Sequence, residues 1–405
     1  MTPTSRRIVA VVLFAALAGV AFLFRDLLQQ LPEGRRFVPE MAPLAIGAVG
    51  LGLALWFHRS RVVFALLVLA GTYVLLLFGL PREWGGQEVL LTAVGLLAPL
   101  NLGIFPFLRD RGIWTFSGLG RLFFLLAQLG VLAWGIDYPE GPIGSFLRGP
   151  WGAPGSLAFT GIPLAVLILY GVATLLLLGR WLVRDHPLDG GFLGALVATL
   201  PALHLQGEIA MVVTFWGLAV LVLTVSLVQE SYRLAFMDEL TGLPGRRALE
   251  EQLQRLGSGY VIAMMDVDHF KKFNDTYGHD AGDQVLRMVG AHLRRVGGGG
   301  RTFRYGGEEF TVLFPGRTMD EAAEAIDEVR QSIASAGFRV RESGRPKGEK
   351  GAKKRGKGGG KGVKVTVSAG LAERKGDRTN PQEVIKAADE ALYKAKEQGR
   401  NCVAR

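Results

Sequence analysis

Cysteine is nearly absent: among 405 residues only Cys402 carries a thiol. An internal disulfide is excluded, as is a metal site built from several thiolates. That scarcity suits a reducing compartment for the soluble part of the chain. Charge is missing too, but only from one half. Residues 1–227 are dominated by long apolar runs, whereas charge density is ordinary from Gln229 onward. Whole-chain values of 49% hydrophobic and 20% charged therefore describe neither half. Paired histidines are lacking as well: His58, His186 and His204 stand apart, without the spacing that ligates haem or metal. His204 near Glu208 reads as an interfacial polar pair. Gly19–Phe24 makes a poor cleavage region, so the first run reads as a retained span rather than a signal peptide.

A helix needs about 20 mostly apolar residues to cross a bilayer. Eight runs qualify as candidates: Ile8–Phe24, Ala42–Phe57, Val62–Leu80, Val89–Leu108, Leu119–Ile136, Ile162–Val183, Phe192–Leu205 and Ile209–Val228. The seventh is short and contains Pro201. Arg6/Arg7, Arg59/Arg61, Arg109/Arg111 and Arg180/Arg184 mark alternate connections, whereas the Tyr138–Gly155 loop has only Arg148 and the Pro81–Glu88 and His204–Glu208 turns hold at most one arginine. Positive loops face the cytoplasm. Eight spans with the N-terminus inside then return the C-terminal half to the cytoplasm. The expected organisation is a membrane domain over 1–228, a short connecting helix over 229–237, and a soluble domain over 238–405. A transport path would need charge deep within the spans, and little is there.

The net charge of +10 is local. Between Arg339 and Lys364 lie eleven Lys/Arg and two acids, Glu342 and Glu349. Rich in Gly and Lys, residues 342–362 are expected to form a disordered basic insertion. It reads as a solvated loop, then as an attraction to anionic lipid. Nucleic acid is not expected, since no aromatic residue interleaves the run for stacking.

The soluble half alternates strand and helix signals, an α/β pattern. Tyr260–Val267 is an apolar run ending in acids. A helical face lies over Asp283–Val296. Arg301–Tyr305 and Phe310–Phe314 flank Gly306-Gly307, a hairpin signal. Thr318 with Glu321 opens a helix as a capping box. Val363–Leu371 is a further strand, and Asn380-Pro381 opens a last helix that stops near Gly399. Asp266 at a strand end and Glu308 after a glycine turn meet if their strands are neighbours. Two carboxylates plus a backbone carbonyl form a hard oxygen site suited to Mg²⁺ with phosphate ligands. Glu308 and Glu309, adjacent in a strand, would face opposite sides.

These residues carry a resemblance. Arg304-Tyr305-Gly306-Gly307-Glu308-Glu309-Phe310 resembles the signature of the GGDEF-domain diguanylate cyclases. Asp266-Val267-Asp268-His269-Phe270-Lys271, Asn274-Asp275, Gly278-His279 and Gly282-Asp283 resemble its second block. Asp238–Leu243 resembles its opening motif, and Asp389, Ala391–Tyr393, Ala395-Lys396 and Gly399–Asn401 its closing helix. The resemblance covers Asp238 to Asn401. It implies a nucleotide-cyclase-like α/β domain with a central, mainly antiparallel sheet, joining two GTP into cyclic di-GMP. It implies that Asp266, the Val267 carbonyl and Glu308 hold Mg²⁺, two ions per site, with Mn²⁺ as a substitute. Glu308 or Glu309 would take the 3′-hydroxyl proton. Lys271 would neutralise phosphate charge, and Lys396 with Arg400, at i and i+4, would bind the triphosphate. Gly306 and Gly307 would let backbone approach the nucleotide. Asn274 and Asp283 would read guanine, whose adjacent N1–H and N2 donors suit a carboxylate. His279 would lie near that pocket or simply shape the loop.

Three departures stand out. Gly245 occupies a place where the family has Asn. Gly297–Gly300 replaces an Arg-x-x-Asp product-inhibition motif, so that site is expected to be absent. The basic insertion is the third. A two-fold product formed from two nucleotides implies a homodimer. The alternative reading is a catalytically inactive nucleotide-binding module, which the presence of Asp266, Lys271, Glu308 and Glu309 disfavours.

Overall fold

The computed structural model describes residues 38–79, 87–148, 160–257, 259–339, 362–375 and 380–405, with scattered positions between 11 and 32. The start of the Ile8–Phe24 run and all of the 342–362 insertion except Gly362 lie outside the described residues. The chain divides into two units, Met1–Tyr232 and Arg233–Arg405.

The first unit is helical among its described residues. Its elements are α1 (Ala42–Trp56), α2 (Ser60–Gly79), α3 (Gln87–Ile104), a 3₁₀ turn (Phe105–Phe107), α4 (Phe116–Asp137), α5 (Pro142–Arg148), α6 (Leu164–Arg184), α7 (Pro187–His204) and α8 (Ile209–Phe236). Polar side chains punctuate them: Thr115 Oγ1 accepts the Gly118 amide to cap α4, and Asp185 ends α6 in the left-handed region at φ 53°. Trp216, fully buried, donates its indole N–H to the Leu69 carbonyl at 2.8 Å. Arg180 on α6 pairs with Asp189 on α7 at 2.6 Å, both side chains buried. Six helices are long and apolar enough to cross a membrane by length and composition, with mean hydropathy from 1.6 to 2.4. Two of the eight expected spans fall outside that set. Phe14–Phe24 is shorter, and the Phe192–Leu205 run lies in α7, which also takes in Pro187, Asp189 and Pro201.

The second unit begins within α8 and continues as α9 (Arg246–Arg255), β1 (Tyr260–Val267), α10 (Phe270–Tyr277), α11 (His279–Leu293), β2 (Arg301–Gly306), β3 (Glu309–Pro315), α12 (Met319–Ser335), β4 (Phe338–Arg339), β5 (Gly362–Val363), β6 (Val367–Glu373), α13 (Pro381–Glu397) and β7 (Val403–Ala404). A five-stranded sheet runs in the order β2-β3-β1-β6-β7, and β4 pairs with β5 separately. Strand β1 is buried along its whole length because helices cover both faces. Its side chains alternate, as strand geometry requires. Val261, Ala263, Met265 and Val267 pack with α11 and α12, while Tyr260, Ile262 and Met264 pack with α9 and α13. The capping box of Thr318 and Glu321 opens α12 as its sequence indicates.

The expected mainly antiparallel sheet is corrected to a mixed one. Strands β1, β2, β3 and β6 pair antiparallel, but β7 joins β6 in parallel. The cause is α13, a crossover helix that returns the chain to the edge in the direction of β6.

Candidate functional site

The alternation of β1 fixes where its acids point. Asp266 shares parity with Tyr260, Ile262 and Met264, so it faces α13. There the Lys396 ammonium meets Asp266 Oδ1 at 3.0 Å. Register supplies the next partner: Asp266 lies opposite Glu309 of β3 on one side and Ser368 of β6 on the other. Glu309, not Glu308, is therefore the strand neighbour of Asp266.

Glu308 stands elsewhere than expected. Gly306 pairs with Glu309, so the turn consists of Gly307 and Glu308. Gly307 sits at φ 43°, a left-handed conformation that glycine adopts without strain. A register shift between Arg304 and Gly306 completes the turn. Glu308 is thus a turn residue, and its carbonyl accepts the Val267 amide at 3.4 Å. The turn still brings its carboxylate into the same field. Burial, then Asp266 and Glu309, push the Glu308 carboxyl above its ordinary range against the pull of Lys396. Burial, Asp266 and Asp389 do the same to Glu309, countered by Lys396 and Arg246. Asp266 is raised by burial foremost, although Lys396 opposes the shift. Three carboxylates share essentially one ammonium.

Asp268 is spoken for. It accepts Thr366 Oγ1 at 2.7 Å, Ser368 Oγ at 2.6 Å and the Asn401 amide at 3.1 Å. It ties the end of β1 to the segment entering β7. Just beyond it, His269 takes φ 57° and starts α10, which carries the exposed Lys271 and the half-buried Asn274. Asn274 Oδ1 is buried without a hydrogen-bond partner. It lies over Gly282 so closely that a Cβ there would come within 1.9 Å of it. His279, exposed, opens α11 after Gly278, and Asp283 follows one turn later, half-buried.

Arg400 does not share a helix face with Lys396, contrary to the i, i+4 expectation. Helix α13 ends at Glu397, Gly399 turns at φ 107°, and Arg400 itself is left-handed at φ 66°. The glycine breaks the helix before the arginine is reached.

Sequence reasoning assigned no role to a clamp behind the turn. Arg304 donates through Nε and Nη2 to the Gly307 carbonyl at 3.2 and 2.6 Å, and through Nη1 to Asp238 Oδ2 at 2.8 Å. Asp238 also accepts the Thr241 amide and hydroxyl. The Asp-x-x-Thr spacing signals that local turn, but nothing local points to Arg304. Gly245, at the start of α9, gives no side-chain cap and instead donates its amide to the Phe236 carbonyl at 2.7 Å.

Such an arrangement defines an α/β domain whose central strand presents desolvated acids beside a glycine turn. Residues 235–402 match the family described as "Diguanylate cyclase, GGDEF domain". Over 175 residues the chain is 36% identical to the diguanylate cyclase DgcP of Pseudomonas aeruginosa, spanning 41% of this chain and 23% of that protein. Over 181 residues it is 35% identical to the response regulator PleD of Caulobacter vibrioides, spanning 43% of this chain and 36% of PleD. Among solved structures it is similar to the coiled coil and GGDEF domain of DgcB from Caulobacter crescentus in complex with c-di-GMP. Identity is 33%, coverage 44% of this chain and 88% of that one, and the TM-score 0.38. The chain thus spans well under half the length of the two curated relatives.

Proposed function

We propose that this domain condenses two GTP molecules into cyclic di-GMP with release of two pyrophosphates. The observation that carries the reading is the desolvated acidic group Asp266, Glu308 and Glu309, raised together and offset by Lys396, at a glycine turn. Asp266, the Val267 carbonyl and Glu308 are the proposed ligands of Mg²⁺. Surplus negative charge on hard oxygens fits such an ion. Among the described residues no three acidic, His or Cys side chains are close enough to hold a metal alone, so phosphate oxygens are assigned the remaining positions. Bound there, Mg²⁺ or Mn²⁺ would neutralise phosphate charge and acidify the attacking hydroxyl.

Glu308 or Glu309 takes the 3′-hydroxyl proton of one GTP. The freed oxygen bonds to the α-phosphorus of the other GTP, and the bond from that phosphorus to the bridging oxygen breaks. Lys271, Lys396 and Arg400 balance charge on the departing pyrophosphate. Lys396 is paired with Asp266 in this structure, so phosphate must draw it away or share it. Asn274, with its unpartnered buried acceptor, and Asp283 are assigned to guanine; His279 borders them. Gly306 and Gly307 leave room for the nucleotide. Two sites must face each other across a two-fold axis, hence a homodimer in turnover.

We further propose that the first unit embeds the chain in a bacterial cytoplasmic membrane, with the cyclase domain in the cytoplasm, and regulates it. Helix α4 supports this: its mean hydropathy is 1.7, yet only 11% of it is buried within the protein. An apolar helix left uncovered calls for lipid. Full-length protein should sediment with membranes after an alkaline wash; recovery in the supernatant rejects embedding. Incubated with GTP and Mg²⁺, it should yield cyclic di-GMP by mass spectrometry, and Glu308→Ala should not. GTP binding without product in the wild type would favour an inactive nucleotide-binding module.

A further inference from the structure

Two loops that the sequence marks only as basic come together at one end of the helical unit. Arg59 lies between α1 and α2, Arg61 lies in the first turn of α2, and Arg109 to Arg111 follow the 3₁₀ turn. Asp110 joins them. Its carboxylate accepts Arg61 Nε at 2.9 Å, the Arg61 amide at 3.1 Å, Arg59 Nη1 at 3.4 Å and Ser60 Oγ at 3.4 Å. Burial opposes its ionisation, but Arg61 and Arg59 outweigh burial and hold the carboxyl below its ordinary range. Arg121, only 6% exposed, donates to Ser60 Oγ at 2.9 Å and to the Arg109 carbonyl. One carboxylate therefore serves the guanidinium groups of Arg59 and Arg61 and the field of Arg121, while Arg109 and Arg111 flank it in sequence. Arg61 and Arg111 repel Arg121, which Asp110 alone offsets. Arg109 and Arg111 are exposed on the rim. Beside them stand Trp114, 90% exposed, and Phe116, 98% exposed, with Trp56 at 80% across the same end.

We propose that this cluster binds the phosphate of an anionic phospholipid. The planar fork of arginine matches two phosphate oxygens at once. Basic pockets between spans are suited to such headgroups. Trp114 and Phe116 provide the apolar neighbours that an acyl chain requires, and Trp belongs at the bilayer interface. A lipid of zero net charge gains little from the surplus positive charge of these arginines. This inference rests on the membrane reading above, which the sedimentation experiment tests separately.

The test is native mass spectrometry of the full-length protein in detergent, titrated in turn with phosphatidylglycerol, phosphatidylcholine and inorganic phosphate. Phosphatidylglycerol is expected to bind more tightly than phosphatidylcholine. Arg109→Gln with Arg111→Gln should weaken phosphatidylglycerol about tenfold or more, by the worth of basic residues at an anionic surface. Phosphatidylcholine should be unaffected. Both side chains are exposed, so the variant should melt like the wild type by circular dichroism. Equal affinity for the two lipids, or an unchanged phosphatidylglycerol affinity in the variant, overturns the proposal. Displacement of the lipid by equimolar phosphate overturns it too, in favour of a soluble anion. Because the readout is binding, cyclase activity does not enter.

Discussion

At the scale of single residues, the site is a stock of unfavourable charge. Asp266, Glu308 and Glu309 are each raised by burial foremost; Asp266 adds to the rise of both glutamates, and Asp268 and Asp389 add to that of Asp266. A carboxyl raised in the folded state contributes stability that is full below its unfolded value and is lost as pH climbs through the folded one. Metal-free protein should therefore lose melting temperature just above the ordinary carboxylate range. Glu309→Gln should flatten that loss and raise the melting temperature at neutral pH. Calorimetry without divalent ions checks this, and an unchanged or lower value refutes it. Glu308→Gln should cost about 10²–10⁴ in turnover if it is the base, and a comparable loss only in Glu309→Gln would assign the proton to Glu309. Arg246 lowers Glu309 while stacking 4.7 Å over Tyr305. Arg246→Gln should shift the acid limb of the pH–rate profile upward; a static limb would remove Arg246 from the site's field. The strand-end acid Asp266 was legible in sequence. Which glutamate opposes it was not, because that depends on the β1–β3 register and on a turn that takes Glu308 out of the strand.

At the scale of elements, the signature hairpin is braced from behind. The Arg304 guanidinium joins the turn carbonyl of Gly307 to Asp238. Removing it leaves a half-buried carboxylate without its cation, a loss of about 1–3 kcal/mol for hydrogen bonds to charged groups. Arg304→Ala should lower stability by that order and reduce turnover beyond what unfolding explains, measured by denaturant titration beside initial rates at low temperature. Full turnover in the folded fraction would show that the clamp does not position Glu308. The strands and helices themselves were legible through period and caps: β1, β2, β3, α12 and α13 follow their sequence signals closely. Two element-level readings failed at the last helix, one at its end and one in where it leads. Gly399 ends α13 before Arg400, and α13 itself delivers β7 in parallel.

At the scale of the whole chain, hydropathy alone separates the two units, since six described helices are long and apolar while the second unit is an α/β sandwich. What such composition cannot encode is which loops converge, as the basic loops do on Asp110. Self-regulation belongs to this scale as well. Gly298 and Gly299 hold φ of 64° and 75°, and a Cβ on Gly300 would press within 2.8 Å of Phe314. This loop between α11 and β2 therefore resists a side chain at Gly300, as well as lacking the Arg and Asp of a product-inhibition motif. Cyclic di-GMP at low-micromolar concentration should leave the rate of full-length protein unchanged; inhibition there would reveal a feedback site of another construction.

Gly282 carries a consequence in genetic terms. A single base change in its codon yields alanine, whose methyl would collide with the Asn274 side chain and drive it from its place. No residue assigned to metal, phosphate or proton transfer is altered by that allele. A screen for lost signalling should recover it beside the expected acidic substitutions, and a genome survey that reads only the signature letters would count the silenced gene as active.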